Sequence, residues 1–540
     1  MKAFTEPLLS LAGFEEMTKT AEKSSGLISV TGCIDAQKSQ MIYAFGGHRK
    51  NKLIVTFGEQ KAKELYDEYS FFDKEVVYYP SKDVLFYQSD IRGNLLTAER
   101  IRALKAIREQ ERVTLVTTFD ALMNTMAPIE KMWENVLTLE QGQLLDLKEI
   151  QAALIRMGYE KEYQVQTMGQ FSVRGGILDV FPLTEENPIR IELWGDEIDT
   201  IRYFDCESQK SIENIDRVSI YPAAELVLSD EEKAGGIEKL KAEAKSVSDK
   251  LRKQMKTEEA HRVTVMADEL TEEWGELSMY AGMDAFLSYF FDERVGLLDY
   301  FKPSDSLIFF DELTRCTEQG KLTETEFSES MKQRLAMGYI LPGQMNGLFT
   351  EKEIVAKLEK YSCIALGALD NKANGLHQLG SYGIHCQSVS PYNNSFELLI
   401  KDLKRYKENG YRVILLSGSR TRAKRLSEDI TDQGITCFYT ENYDHELFEG
   451  QIMVCYGKVR RGFEYPILKF AVITESDIFG AQQKKKKRHR TYEGEKIQSF
   501  TDLSVGDYVV HENHGLGIYR GIEKLEVDKK VKDYIKIEYQ

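Results

Sequence analysis

The sequence has few of the features that mark secreted, membrane-bound or metal-binding proteins. Its seven cysteines are scattered, with no CxxC pair and no cluster with histidine, so neither a disulfide framework nor a zinc site is expected. No run approaches the roughly 20 apolar residues of a membrane-spanning helix. The first residues, MKAFTEPLLSLAGFEEM, lack the apolar core of a signal peptide. These absences predict a cytoplasmic protein with reduced thiols and no membrane partner.

An excess of positive charge is also missing. The 71 lysines and arginines are outnumbered by 87 acidic residues, which gives a net charge of −16. A chain with this charge is a poor candidate for coating nucleic acid, so any such contact must come from a local basic patch. Hydrophobic residues form 42% of the 540 residues, which is enough for the cores of several domains.

The first part of the chain alternates between short apolar runs and stretches of helical period. The apolar runs are GLISVTG, KLIVTFG, EVVYYP and VTLVTT, and amphipathic stretches such as AERIRALKAIREQ lie between them. Strands that alternate with helices in this way are typical of a parallel sheet covered by helices. We therefore predict a parallel α/β domain at the start of the chain.

The first apolar run leads into an altered phosphate-binding loop. Gly32, Lys38 and Ser39 fit a G-x-x-x-x-G-K-S motif, but Gln37 replaces its second glycine. A side chain at that position obstructs the approach of the backbone to phosphate, and Asp35 adds negative charge where phosphate would lie.

A second stretch, SLIFFDEL, resembles the strand that carries the magnesium-holding carboxylates of such sites, here Asp311 and Glu312. The chain thus contains both halves of an ATP site, one of them altered. It is either a working ATPase or a relic whose sheet is kept for packing. We favour the relic, because the geometry of the loop backbone is what binds phosphate. We accordingly expect no bound cofactor and no catalytic residue in this chain.

A β-rich pattern follows, and it is clearest in GQFSVRGGILDVFPLTEENPIRIELWGDEIDTIRYF. Its apolar runs, separated by short turns, predict an antiparallel meander in a small α+β domain. In the middle run, Arg190 and Trp194 alternate with apolar residues and share a face. We expect Arg174, Arg190 and Trp194 to face solvent. A tryptophan beside arginines is the composition of an interface anchor, although it could also cap a sheet edge beside solvated arginines.

Later segments predict a second α/β domain and a linker. The strand-like runs YRVILLS, QIMVCYG and KFAVITE alternate with helical stretches, but no catalytic motif is present among them. The basic residues at the start of one helix could contact phosphate, although a solvated helix face is the more ordinary interpretation; they are Arg420, Arg422, Lys424 and Arg425. The block QKKKKRHR predicts a disordered linker, with nonspecific nucleic-acid attraction as the alternative.

The last segment, VGDYVVHENHGLGIYRGIEKLEVDKKVKDYIKIEYQ, has short β-runs and glycines at its turns. This pattern predicts a small, strongly bent barrel. His511 and His514 are too few to form a metal site, since no further ligand completes a set.

These patterns divide the chain into six segments. SLIFFD should rejoin the first sheet, so the β-rich domain is expected to be an insertion into a split first domain. The expected segments are 1–125 and 222–345 for the split domain, 126–221 for the insertion, 346–475 for the second α/β domain, 476–500 for the linker and 501–540 for the barrel.

Two long motifs carry a family resemblance. FSVRGGILDVFP followed by IRIELWGDEIDTIRYFD resembles the second domain of UvrB and of the transcription-repair coupling factors (Mfd). GDYVVHENHGLGIYRGIEKLEV resembles the RNA-polymerase-interacting domain shared by Mfd and the CarD-like regulators. The resemblance extends over essentially the whole chain. It implies a UvrB-like first domain with a decayed nucleotide site, and the first strands of an SH3/Tudor-like barrel.

The resemblance also implies roles for individual residues. Arg174, Arg190 and Trp194 correspond to family positions that contact UvrA, and Trp194 stands where phenylalanine is common. Leu525 corresponds to the exposed apolar residue that the family presents to the RNA polymerase β subunit. The alternative for Leu525 is an ordinary place in the barrel core.

The function that the resemblance implies is that of an adaptor in transcription-coupled nucleotide excision repair, which recruits UvrA to a stalled RNA polymerase. In the family, a translocase motor that uses ATP and magnesium and contacts DNA follows these domains, so we expect an inactive N-terminal part. A UvrB-like, damage-handling ATPase is the alternative. The loop from Gly32 to Ser39 disfavours it, as does the lack of room after Ser39 for the DNA-clamping hairpin of UvrB. A CarD-like regulator without repair contacts is disfavoured by the second-domain motif.

Overall fold

The structure is a computed structural model with two compact units, residues 1–480 and 481–540. It describes residues 1–45, 50–82, 94–276, 283–370, 375–480, 506, 508–511, 515–527 and 530–538. Strands and helices are numbered along the chain. The fold is mixed α/β and contains several separate sheets.

A seven-stranded sheet forms the centre of the first unit, in the order β17-β1-β16-β15-β2-β4-β3. All of its strand pairs are parallel, as the alternation of strands and helices predicts. Its strands are β1 Gly26–Thr31, β2 Asn51–Thr56, β3 Val77–Tyr79, β4 Val113–Thr118, β15 Ser306–Asp311, β16 Ser362–Leu366 and β17 Gln378–Gly383.

Both faces of this sheet are covered, so its central strands are buried along their whole length. Leu27, Leu53 and Ile308 point into one core, whereas Ile28 and Ile54 point into the other. The surrounding helices are α1 Lys2–Leu9, α2 Phe14–Lys23, α3 Asp35–Phe45, α4 Glu59–Tyr69, α5 Asn94–Glu109, α6 Phe119–Met123, α7 Ile129–Glu134, α12 Leu313–Ala336 and α13 Glu351–Leu358.

The expected insertion lies between β4 and β15. It contains a six-stranded sheet in the order β12-β11-β10-β9-β8-β7, and the strands from β8 to β12 form an antiparallel meander. Its elements are β6 Leu137–Glu140, α8 Leu147–Arg156, β7 Glu160–Lys161, β8 Gln170–Arg174, β9 Ile177–Val180, β10 Ile189–Trp194, β11 Glu197–Phe204, β12 Ser211–Ile215 and β13 Arg217–Ile220. β13 returns to pair with β6. The strand at 306–311 rejoins the first sheet beside β2, which confirms that prediction.

A buried ion pair fixes the point at which the chain returns from the insertion. Arg100 of α5 is fully buried, and its guanidinium donates to both carboxylate oxygens of Glu225 at 2.7 and 3.0 Å and to the carbonyl of Pro80 at 2.6 Å. The ring of Tyr79 lies 4.1 Å from the guanidinium carbon. The segment that follows β13 is thereby attached to the edge strand of the first sheet.

A helical layer follows the insertion. α9 and α10 form an antiparallel hairpin whose inner faces meet in a separate core that includes Leu240, Val263 and Trp274. Its elements are α9 Asp230–Lys253, α10 Thr257–Glu276 and α11 Leu287–Phe290, with 3-10 turns at Met283–Phe286, Leu297–Tyr300, Pro303–Asp305 and Pro342–Gly347. A short pair joins β5 Thr125–Met126 to β14 Val295–Gly296.

A second α/β sheet of six strands has the order β18-β22-β23-β19-β21-β20. Its elements are β18 Gln387–Ser388, α14 Phe396–Glu408, β19 Arg412–Ser417, α15 Arg420–Asp432, β20 Phe438–Tyr439, β21 Ile452–Tyr456, β22 Phe463–Tyr465, β23 Phe470–Thr474 and α16 Glu475–Phe479. One face of this sheet shares a core with the first sheet and with α1 to α4. The two sheets are therefore layers of one compact unit.

The expected boundary at residues 345 and 346 does not coincide with the division between these sheets. β16 and β17 lie beyond it, yet both pair with β1 of the first sheet. The first sheet therefore extends to Gly383, and the second begins with β18 at Gln387. Periodicity identifies these segments as strands, but it carries no information about which strand each one pairs with.

The C-terminal unit contains a three-stranded antiparallel sheet of β24 Tyr508–His511, β25 Gly515–Val527 and β26 Lys530–Glu538. Three strands agree with the β-runs of the sequence. The expected linker at 476–500 starts too early, because α16 extends to Phe479; from residue 481 onward the linker lies outside the described residues.

Candidate protein-interaction surface

The surface with the strongest sequence signal lies on one face of the inserted sheet. Gly175 and Gly195 adopt positive φ angles of 61° and 64° at two tight hairpin turns, which allow β9 to follow β8 directly and β11 to follow β10 directly. In β10, Ile191 is buried against Leu178 and Ile201 of the neighbouring strands. Residues that alternate with Ile191 face the other way, as the period of two predicts.

A buried carboxylate organises that other face. Asp179 of β9 lies opposite Arg190 of β10 in the strand register. Its Oδ1 accepts a hydrogen bond from Arg190 Nε at 2.7 Å, and its Oδ2 accepts from Arg190 Nη2 at 2.9 Å. Arg174 Nη2 donates to the same Oδ2 at 2.8 Å. One carboxylate thus holds two of the three residues proposed to contact UvrA, in a bidentate geometry with Arg190.

The expectation that all three residues face solvent is therefore wrong for Arg190. Its side chain is only 13% exposed, compared with 36% for Arg174. Its guanidinium carbon lies 4.3 Å from the centre of the Phe204 ring, and its Nη2 also donates to Gln209 at 2.8 Å. Arg190 therefore packs within the sheet, whereas part of the Arg174 side chain remains accessible to solvent.

Trp194 is a strongly exposed aromatic residue at the end of β10. It ends β10 opposite Glu197, and 85% of its surface is accessible. A shallow cleft beside it is rich in carboxylates and is lined in part by Glu140, Asp199 and Asp216. Such an exposed aromatic side chain beside charged groups is the composition of an interface anchor.

Two parts of this face were not anticipated from the sequence. Asp179 is the only charged residue in the run GILDVFP, and a lone acid in a buried strand between two arginines is a signal for such a pairing. Arg202 forms the second pair with Glu192 across the strands, at 3.0 Å between Nη1 and Oε2. A cross-strand pair of this kind depends on register, which the sequence does not give.

The altered phosphate-binding loop lies between β1 and α3. In phosphate-binding loops the backbone N–H groups point at the anion. Here the N–H groups of Gly32 and Cys33 donate instead to the carbonyls of Ala368 and Gly367, at 3.2 and 3.0 Å. Gly32 has a φ of 77°, and a Cβ at this position would lie 2.1 Å from the carbonyl oxygen of Ile384. This glycine therefore serves the close approach of a neighbouring strand.

The lysine of this loop is already neutralised. Lys38 is buried, and its Nζ lies 2.5 Å from Asp311 Oδ1 and 3.1 Å from both Asp35 Oδ1 and Glu312 Oε1. Burial alone would lower the pKa of Lys38, but the carboxylates, Asp311 first, outweigh it and hold that pKa above its ordinary value. The ammonium is thus fixed by the carboxylates that would otherwise hold magnesium.

These contacts do not fit a bound nucleotide. Gln37 is buried at the position where the motif requires glycine. Burial raises the pKa of Asp35, but the opposing effect of Lys61 and Lys38 lowers it to about 2, so its negative charge is present at neutral pH. Ser39 Oγ is buried without a hydrogen-bond partner among the described residues. It is the hydroxyl that would bind magnesium in a working phosphate-binding loop.

The structure says less about the remaining candidate residues, which are the basic group of α15, Leu525 and the two histidines. At the start of α15, Arg422 forms an ion pair with Glu475, and Arg420 forms one with Glu441 at 3.3 Å. These pairs partly neutralise the basic group. Leu525 lies in β25 opposite Lys532, and its side chain lies outside the described residues. The side chain of His511 and the whole of His514 also lie outside the described residues.

The described residues contain neither a metal-binding cluster nor a membrane-spanning helix. No group of three or more histidine, cysteine or acidic residues is placed to hold a metal ion within those ranges. Across the same ranges, no helix is long and apolar enough to cross a membrane.

Comparisons with known proteins agree with both motifs. Residues 137–226 match the UvrB interaction domain, and residues 503–540 match the CarD-like/TRCF RID domain. The chain is 30% identical over 490 residues to the transcription-repair-coupling factor of Bacillus subtilis, covering 90% of this chain and 41% of that protein. The proteins of the same name from Staphylococcus haemolyticus and Staphylococcus aureus are 29% and 28% identical, covering 95% and 98% of this chain and 43% and 44% of theirs. The chain thus spans less than half the length of these relatives.

We predict that the two kinds of residue on this face differ in their effect on stability. Arg190→Ala removes the bidentate partner of buried Asp179 and should lower the free energy of unfolding of the inserted sheet by about 2–4 kcal/mol. Trp194→Ala removes an exposed side chain and should change it by less than about 0.5 kcal/mol. Scanning calorimetry of both variants measures the difference. Equal shifts of the transition would contradict the structural role of the Arg190–Asp179 pair.

Proposed function

Because this chain belongs to the family of the transcription-repair-coupling factors, we propose that it is an adaptor of transcription-coupled nucleotide excision repair. One part binds UvrA through the inserted sheet, and another contacts RNA polymerase through the C-terminal strands. The observation that carries the proposal is the exposed Trp194 at the end of β10, the strand that also carries Arg190 of the Arg174–Asp179–Arg190 cluster, within the segment that matches the UvrB interaction domain.

The surface of the inserted sheet combines the properties that such a contact requires. Trp194 offers a large flat ring on a hairpin whose backbone is fixed by the sheet, so little conformational entropy is lost on binding. Arg174 offers a guanidinium that Asp179 already orients. Arg190 acts in this proposal through Asp179, by holding the carboxylate that orients Arg174.

The C-terminal strands are proposed to contact the β subunit of RNA polymerase. β25 and β26 are long antiparallel strands within the segment that matches the CarD-like/TRCF RID domain. We propose that they belong to an SH3/Tudor-like barrel and that Leu525 is its apolar anchor. An edge strand with an apolar side chain is a known docking arrangement, in which the main chain gives affinity and the side chain selects the partner.

We assign no enzymatic step to these domains. The loop N–H groups of Gly32 and Cys33 donate to neighbouring carbonyls, and Lys38 is bound by Asp311 and Glu312. A nucleotide would have to break all of these contacts, and for this reason we do not favour a UvrB-like ATPase. ATP-driven movement with magnesium, and the contacts to damaged or upstream DNA that accompany that movement, are proposed for the full-length family protein.

The UvrA contact is tested at two exposed aromatic residues, one on the inserted sheet and one in the second α/β sheet. Trp194→Ala should weaken binding to purified UvrA by roughly 30-fold, the loss typical of an interface anchor. Phe448→Ala is the control, because Phe448 is 56% exposed and lies between β20 and β21, outside the inserted sheet. Surface plasmon resonance with immobilised UvrA gives both dissociation constants. If Trp194→Ala binds as tightly as the parent chain, the docking surface lies elsewhere.

The altered loop should bind no ATP. Titration of the chain with a fluorescent ATP analogue and magnesium should give no saturable change in anisotropy. Gln37→Gly should not restore binding, because the loop N–H groups and Lys38 remain engaged. Saturable micromolar binding that Lys38→Ala abolishes would show that the loop opens for nucleotide, and the relic interpretation would then fail.

Leu525→Arg should abolish polymerase binding in the full-length protein. The expected reason is that a charged side chain replaces the apolar anchor of the docking strand. Pull-down with purified RNA polymerase measures the loss, and binding to UvrA by the same variant should remain intact because the two contacts are in separate domains. Full recovery of polymerase by Leu525→Arg would remove Leu525 from the interface.

A further inference from the structure

The tip of the α9–α10 hairpin concentrates positive charge on an acidic protein. Lys250, Arg252, Lys253 and Lys256 fall within seven consecutive residues that contain no acidic residue, although the net charge of the chain is −16. All four side chains are exposed. Within the described ranges none of them forms an ion pair, whereas Lys239, further down α9, pairs with Asp292 at 2.9 Å. These four residues are called the basic tip below.

The hairpin holds the basic tip firmly. Below it, Leu251 of α9 and Ala260 of α10 are buried in the hairpin core. The turn is closed by backbone hydrogen bonds from Gln254 and Lys256 to the carbonyl of Leu251, both at 3.0 Å. Between them Met255 has a φ of 63° and is 88% exposed. The four charges are therefore displayed on an ordered turn.

Helix stability accounts for only part of this charge. Lys250, Arg252 and Lys253 lie in the last turn of α9, where cations complement the negative end of the helix dipole. Lys256 directly precedes the first residue of α10, where the positive end of a dipole disfavours a cation. The nearby acids Asp249, Glu258 and Glu259 do not bind the tip residues in ion pairs. Helix stability therefore does not account for the cation at position 256.

A further cation and an aromatic ring adjoin the basic tip. Arg262 lies six residues beyond Lys256, about 9 Å along the axis of a helix. Its Nη1 donates to the carbonyl of Met337 at 2.8 Å, and its guanidinium carbon lies 4.9 Å from the centre of the Tyr339 ring. Tyr339 is 55% exposed. An added Cβ on Gly338 would lie 2.6 Å from the carbonyl oxygen of Glu259, so the end of α12 is packed closely against α10.

We propose that the basic tip, with Arg262 and Tyr339 beside it, binds the phosphate backbone of duplex DNA without sequence preference. Long, unpaired cationic side chains suit a polyanion with one charge per about 1.7 Å of axis. A tyrosine hydroxyl beside them is a common donor to phosphate oxygens. An acidic protein partner fits less well, because Met255 is the one exposed apolar group of the turn and protein interfaces are centred on larger desolvated anchors.

This DNA contact goes beyond the adaptor role, which assigns the chain to protein partners, and it uses an element outside the inserted sheet. It would hold the duplex mainly through charge, so its affinity should depend steeply on salt. Each phosphate neutralised contributes about 0.9 to the slope of log affinity against log salt concentration. Four tip cations therefore predict a contribution of about 3–4 to that slope.

The test measures binding of the chain to a fluorescent 30-base-pair duplex by anisotropy at several salt concentrations. A variant with glutamine at the tip should bind at least tenfold more weakly at low salt, with a slope smaller by about 3–4; its changes are Lys250→Gln, Arg252→Gln, Lys253→Gln and Lys256→Gln. The matched control removes the same charge from four other exposed lysines; its changes are Lys360→Gln, Lys401→Gln, Lys404→Gln and Lys407→Gln.

Thermal unfolding followed by circular dichroism verifies that both variants retain the helical content of the parent chain. A loss of affinity and slope confined to the tip variant supports the proposal. Equal behaviour of the tip variant and the parent chain would overturn it, as would an equal loss in both quadruple variants, which would trace binding to net charge alone. A tip variant that bound DNA normally but lost UvrA or polymerase would show that the tip contacts protein, which also overturns the proposal.

Discussion

A parallel sheet has to be covered on both faces, and this constraint governs the arrangement of residues 1–480. The central strands of the first sheet are buried on both sides. One face is covered by α5, α6, α12 and their neighbours, and the other by α1 to α4. One face of the second α/β sheet packs into the same core as α1 to α4. Neither sheet could be removed without exposing this shared layer to water, so the two sheets stabilise one another.

The same constraint explains why a nucleotide-type loop persists without the contacts that hold nucleotide. α3 begins at this loop and contributes Met41, Ile42 and Phe45 to the shared core, so the turn that places α3 has to be kept. The buried charge of Lys38 would be costly alone, but Asp311 and Glu312 satisfy it within the fold. Packing therefore accounts for the loop, its glycine and its lysine without a ligand.

Sequence patterns predicted which segments form strands and helices better than they predicted which strands pair with one another. The parallel strands, the meander and the return of residues 306–311 follow from periodicity and turn residues, which are local properties. The membership of β16 and β17 in the first sheet does not, because pairing depends on contacts between segments distant along the chain. At the candidate surface, the exposure of Trp194 was predicted correctly, whereas the burial of Arg190 was missed. The alternation of polar and apolar residues assigns a side chain to a face of the sheet. It does not show that Arg190 binds Asp179 and lies against the ring of Phe204.

Rigidity is what links this fold to a role in binding. Arg100 and Glu225 attach the chain to the first sheet where it leaves the insertion, and Asp179 fixes the arginines within the inserted sheet. A surface held in this way loses little entropy when it binds, so a single exposed ring such as Trp194 can contribute a large share of the affinity. The hairpin of α9 and α10 is likewise ordered, but it presents charged side chains instead of an aromatic ring. On a chain with an excess of acidic residues, lysines and arginines can bind a polyanion only where they cluster and form no ion pairs with acidic residues of the same chain. Within the described ranges, the ordered turn between α9 and α10 meets both conditions.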